Sequence, residues 1–225
     1  MPSGILKLSP VPLKTIDVVR QDLFRADFVG VDRFDQRTKH GGRIVHVVRQ
    51  DDHLAAVVIE TETTVDILTA KIMDRLIALR SMDYTPHELS QISQMMLAAS
   101  DIERISDYAE NIAEYEGQYK TRKAVLSDAG SQELRTLSEA TLRSIDCALD
   151  IFEHENFARL PEAEQLEQEV DTLYDQFVNA HIHRLMKGEC NPVSGVIFTD
   201  MSSGLERCSD HAINVACSLS ENPVM

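Results

Sequence analysis

The chain has 225 residues, enough for one or two domains, and 43% of them are hydrophobic, enough for a buried core. With 37 acidic against 22 basic residues the formal net charge is -15. That charge argues against nucleic-acid binding, because neutralising phosphates takes clustered Lys and Arg, and equally against docking on an anionic membrane. It permits divalent cations and basic protein surfaces. Trp is absent and aromatics are sparse, so the core is mostly aliphatic. The cysteines Cys147, Cys190, Cys208 and Cys217 include no C-x-x-C pair. Neither a zinc finger nor a thioredoxin-type site is indicated, and the thiols read as reduced cysteines of a cytoplasmic protein. The opening MPSGILKLSPVPLK has too short an apolar run for a signal peptide. The longest apolar run, Leu54 to Ile59, is far below the roughly 20 residues that span a bilayer, so a soluble protein is expected.

Residues 1–13 read as a tail with three prolines. Residues 14–40 carry Ile16, Val19, Leu23, Ala26 (or Phe28) and Val31, near the helical period. Gly41-Gly42 interrupts this pattern, and the β-branched stretch Ile44 to Val48 predicts a kinked helix or a break, with a short strand as the competing reading. A helix is predicted over about 53–82, with Leu68, Ile72 and Leu76 among its apolar positions. Thr85-Pro86-His87-Glu88 reads as the start of the next helix, with a capping Thr, a Pro at the first position and a Glu completing a capping box. Its apolar positions run to Ile112 and the helix to about Gly117. Residues 118–130 are polar and suit a linker. A fourth helix is predicted over 131–155, a fifth from Pro161 to near Gly188, and a sixth from Asn191-Pro192 to about Ser220, leaving 221–225 as a tail. The expectation is an all-α protein of two tandem three-helix bundles, over 14–117 and 131–220, because each trio buries its apolar stripes only as a bundle.

One motif occurs twice. Residues 103–111 read ERISDYAEN and residues 206–214 read ERCSDHAIN. The shared pattern is E-R-x-S-D-x-A-x-N. Residues 62–66 read ETTVD and residues 167–171 read EQEVD, both E-x-x-V-D. The order is the same in each half, which signals a duplicated unit.

Residues four apart share a helical face. Glu103 and Asp107 therefore stand together, as do Glu206 and Asp210. Antiparallel neighbours would bring Glu62 and Asp66 against the first pair, and Glu167 and Asp171 against the second. Four carboxylates in one patch need a cation, raised pKa values or a basic partner. Oxygen ligands suit Mg²⁺, Ca²⁺ and Mn²⁺, and also iron. Arg104 and Arg207 follow each Glu and can pair with these acids instead. In a chain this acidic such pairs also arise on plain solvated faces; the duplicated context is what sets these apart.

The remaining candidates carry less. Spacing of two points His181 and His183 to different helix faces. His211, beside Asp210, reads as a ligand, a supporting group or a plain structural histidine. Met95-Met96 reads as core packing. No His stands three residues after a Glu, which weakens a ferritin-like di-iron reading. No G-x-S-x-G, Walker A, dinucleotide fingerprint or H-E-x-x-H is present.

The segments DIERISDYAENIAE at 101–114 and LERCSDHAINVA at 205–216 resemble the two signature helices of the PhoU family. The segments GECNP and GVIFTDMSSGLER, between 188 and 207, look closer still to the PhoU-like cytosolic domain of bacterial sodium/phosphate cotransporters. The resemblance covers about residues 14–220 and is weak before residue 50. It implies tandem three-helix bundles and multinuclear sites for iron or another divalent cation (Mn, Zn, Mg or Ca) at Glu62, Asp66, Glu103, Asp107, Glu167, Asp171, Glu206 and Asp210. It implies a regulator of phosphate transport rather than an enzyme, contacting a membrane phosphate transporter and, in many bacteria, a sensor kinase. Asp101 has Gly204 as its counterpart, so the two sites need not be equivalent.

The expectation is therefore a cytoplasmic regulator acting by metal-dependent docking, with neither nucleic-acid binding nor membrane insertion, and with homodimer formation open. A cotransporter's cytosolic domain, at the inner face of the membrane, is the first reading, and a free-standing PhoU-type regulator the second. A carboxylate-bound di-metal enzyme and a helical adaptor with solvated acids are the alternatives of other classes.

Overall fold

The computed structural model describes residues 52–80, 85–122 and 124–220. The described residues form α1 (Asp52–Arg80), α2 (Pro86–Arg122), α3 (Asp128–His154), α4 (Leu160–Met186) and α5 (Pro192–Cys217), with a 3-10 turn at Phe157–Arg159. Every regular element among the described residues is helical. The helix expected over 14–40 and the break or strand expected at 44–48 lie outside them.

The helix ends follow local chemistry. The Thr85 amide donates to Glu88 Oε2 at 2.8 Å, and the Glu88 amide donates back to Thr85 Oγ1 at 3.3 Å. That reciprocal pair is the capping box read from the sequence. Asn191 Oδ1 accepts from the Val193 amide at 2.8 Å, with Pro192 in the first turn of α5. Helix α3 starts earlier than its apolar pattern, because Ser127 Oγ accepts from the Gly130 amide at 3.1 Å. Helix α2 runs past Gly117 to Arg122. The stretch 118–130 thus holds the last turn of α2 and the first turn of α3. Helix α4 ends where Gly188 takes φ +71°, a left-handed conformation that costs a glycine nothing.

Helices α3, α4 and α5 all touch one another and form a three-helix bundle. Helix α1 lies along α2, and α2 in turn packs along α5. One apolar cluster joins Val58 and Val65 of α1, Ile102, Ile105 and Ala109 of α2, Ile151 and Phe152 of α3, and Ala212 and Val215 of α5. A second joins Ile112 of α2 to Leu134, Leu137, Val170 and Phe198 of the bundle. The α2–α5 seam is therefore part of the core.

The seam relates the two motif copies by an approximate two-fold. The Cys208 thiol donates to the Ile105 carbonyl at 3.8 Å, and these two residues hold the same place in the repeat. Tyr108 stacks on His211, again equivalent positions, with ring centroids 5.8 Å apart. Asp101 reaches toward Asn214, while Gly204 packs on Ile112, so α2 and α5 run antiparallel. The small motif residues Ser106, Ala109, Ser209 and Ala212 are all buried. Small side chains let two helices approach closely, which accounts for the S and A of E-R-x-S-D-x-A. The E and D stand on the flank of that buried stripe.

Candidate metal centres

Each E-x-x-V-D places a fully buried Val, Val65 or Val170, between two carboxylates on the shoulder of its helix. Helix α1 then faces α2, and α4 faces α5. The result is two three-carboxylate clusters, Glu62–Asp66–Asp107 and Glu167–Asp171–Asp210. In each, one oxygen per residue lies within 4.8 Å of the others. Six of the eight expected residues are thus brought together. Glu103 and Glu206 stand one turn before Asp107 and Asp210 and feel the charge of the same clusters.

The electrostatics show unmet negative charge. Burial pushes the Glu62 carboxyl up to about 7, helped by Asp66 and Glu110. Burial, then Asp107, raises Glu103, and burial also raises Asp107. Burial raises Glu167, Asp171 and Glu206 as well, with Asp210 contributing to all three. Asp171 Oδ1 is buried and has no hydrogen-bond donor. An all-oxygen set with an unpartnered buried oxygen fits a hard divalent cation or iron. When bound, such a cation supplies the compensating charge.

Two arginines supply part of it already. Arg104 Nη1 donates to Asp107 Oδ2 at 3.4 Å, and Arg207 Nη1 donates to Asp210 Oδ2 at 3.2 Å. Both side chains are more than half exposed, so each pairing is worth little and yields readily.

Two features of the sites lie outside the shared residues of the repeated motif. Glu110 joins the first cluster electrostatically, and its carboxyl is raised by burial, Glu114, Asp107 and Asp66. Its counterpart is Ile213, so the repeat hid it; its position three residues after Asp107 was the available signal. Asp101 Oδ1 lies 2.8 Å from His211 Nδ1 across the seam, which gives His211 a partner outside its own cluster. No sequence signal announces a contact 110 residues apart.

Fold and sites together define a duplicated helical protein with a carboxylate cluster in each half. The PhoU domain matches residues 43–115 and 134–219. That is well over half of the chain, and the chain belongs to the PhoU family. A phosphate-specific transport system accessory protein PhoU homolog from Xylella fastidiosa is 24% identical over 170 residues, covering 76% of this chain and 70% of that protein. A homolog of the same description from Rhizobium meliloti is 24% identical over 180 residues, covering 76% and 71%. Crystal structures of PhoU from Pseudomonas aeruginosa (TM-score 0.76, 20% identity, 91% of this chain and 89% of that one) and of the phosphate transport system regulatory protein PhoU from Streptococcus pneumoniae (TM-score 0.74, 17% identity, 96% of each) share the fold.

Proposed function

We propose that this protein regulates inorganic phosphate transport by binding rather than catalysis, docking on a membrane phosphate transporter through a surface whose charge is set by cations in the two clusters. The observation that carries this reading is the pair of equivalent carboxylate clusters in a chain of the PhoU family. Two carboxylate clusters without cations attract basic partners and repel acidic ones; filled, they lose most of their field. Cation occupancy is thus a means of altering which surface the protein presents. Iron, manganese, zinc, magnesium and calcium all remain chemically compatible with the donor set. A sensor kinase is a second proposed partner.

Between the two expected settings, the free-standing regulator is better supported than a cotransporter's cytosolic domain. The similar proteins are described as accessory proteins of a transport system, and the match covers about 70% of their length. No helix among the described residues is long and apolar enough to cross a membrane. A cytoplasmic location at the transporter's inner face accords with this reading.

The test is complementation. In a bacterial strain lacking its own PhoU, phosphate uptake in phosphate-rich medium is measured with this chain, and with a variant carrying Asp66→Asn, Asp107→Asn, Asp171→Asn and Asp210→Asn. Restored restraint of uptake by the parent, lost in the folded variant, is expected. Uptake unchanged by the parent, despite its expression, contradicts the proposal.

A further inference from the structure

Far from the carboxylate clusters, the loop after α2, the end of α4 and the starts of α3 and α5 enclose a cavity of about 240 Å³. Ten residues of α4 separate Asp171 from His181, about 15 Å along the helix axis. The lining includes Ser127, Gly130, His181, Cys190, Asn191 and Ser194. Two helices of 27 and 26 residues begin here, so the positive ends of two helix dipoles converge on one space.

His181 is the second, independent feature. It is 4% exposed, and its Nε2 is buried without a hydrogen-bond partner. The ring stacks on Phe198 at 4.6 Å between centroids. Nε2 faces the first turn of α5, since a methyl group on Gly195 would stand 2.8 Å from it. A buried polar atom of this kind carries a desolvation cost that a ligand can relieve.

The start of α5 leaves donors unused. In α5 the Val193 amide is taken by the Asn191 side chain and the Gly195 amide by the Asn191 carbonyl. Pro192 has no amide hydrogen. The Ser194 amide is left without an acceptor inside the helix. Ser194 Oγ accepts from the Val125 amide at 3.1 Å, which leaves its proton to donate. The Cys190 thiol is a further weak donor. Ser194 thus offers an amide and a hydroxyl where the two helix N-termini converge.

We propose that this cavity binds a small oxyanion, held by His181, by the hydroxyl and amide of Ser194, and by the dipoles of α3 and α5. Glu189 also lines the cavity, and its side chain is exposed. It works against an anion from the mouth and so gives the proposal a test of opposite sign.

The experiment titrates inorganic phosphate, and separately sulfate, into the ¹⁵N-labelled full chain after chelator treatment, so that no divalent cation bridges anion to carboxylate. Amide shifts at 125–131 and 190–196, together with the His181 ring, are followed in the parent, His181→Leu and Glu189→Gln proteins. The expected result is saturable shifts confined to these residues. They weaken about tenfold in His181→Leu, the scale of one hydrogen bond to a charged group, and tighten several-fold in Glu189→Gln. Equal response to both anions defines a general oxyanion site; preference for phosphate defines a selective one. Absence of shifts at these residues up to tens of millimolar, or equal affinity in parent and Glu189→Gln, overturns the proposal. Should His181→Leu fail to fold, the surface substitution Glu189→Gln decides alone.

Discussion

Asp101 of α2 and His211 of α5 meet across the seam between the two halves, carboxylate Oδ1 2.8 Å from imidazole Nδ1. At the other end of the seam Gly204, the counterpart of Asp101, packs against Ile112. One end of an approximate two-fold is therefore a polar clasp, and the other is close apolar packing. Both partners of the clasp are mostly shielded, with side-chain exposures of 18% and 22%. Asp101→Ala strips His211 of its acceptor and is expected to destabilise the protein by about 1–2 kcal/mol. Urea unfolding checks this, with a lower midpoint and an unchanged m-value.

The apolar end is tight. A Cβ on Gly204 would lie 3.1 Å from Ile112 Cγ1 and 3.2 Å from Cδ1. Gly204→Leu overpacks this contact and should cost about 2–3 kcal/mol. Adding Ile112→Ala makes room and should recover part of the loss. The double-mutant cycle in thermal unfolding measures the coupling; additive effects would mean that the two residues do not oppose each other.

Much of this arrangement was legible beforehand, and the reasons are local. The Thr85–Glu88 box and the Asn191-Pro192 start depend only on neighbours in sequence, and both ends formed as read. The motif copies stand on α2 and α5, with the acids flanking a buried small-residue stripe, because helical spacing alone fixes which positions share a face. Helix α3 starts three residues before its apolar pattern, since Ser127 caps a turn that carries none. The seam was not legible. Ile105 against Cys208 and Tyr108 against His211 are tertiary contacts, set by how one half meets the other. Periodicity within one helix carries no information about that.

The carboxylate clusters give a pH prediction with a definite sign. Glu62 is raised to about 7 and Glu103, Asp107, Glu167, Asp171 and Glu206 are raised in the same direction. Above about pH 4.5 the unfolded chain has released these protons while the native state still holds some. Stability of the cation-free protein therefore falls as pH rises from about 4.5 through 7. Thermal unfolding at pH 5.5 and 8, after chelation, should give the higher Tm at pH 5.5. A bound divalent cation should flatten or reverse that trend, because it competes with protons for the same oxygens.

The ion pair between Glu133 of α3 and Arg184 of α4 is well shielded, with side chains 14% and 15% exposed. Arg184 Nη1 donates to Glu133 Oε1 at 2.7 Å, and Nη2 donates to Oε2, a two-pronged pairing. Arg184→Met leaves the carboxylate buried and unpaired and should cost about 3 kcal/mol. Replacing both partners with apolar residues should cost clearly less than the single change. Chemical denaturation of the two variants makes the comparison.

The central claim is that the two clusters hold cations. Metal content by elemental mass spectrometry is its most direct test, on protein purified without chelator or nickel resin. The variant with Asp66→Asn, Asp107→Asn, Asp171→Asn and Asp210→Asn is run beside it. Stoichiometric iron, manganese or zinc in the parent, or calcium or magnesium after soaking, with little in the folded variant, is the predicted result. A parent that holds no cation after soaking, or a variant that holds as much as the parent, contradicts the claim.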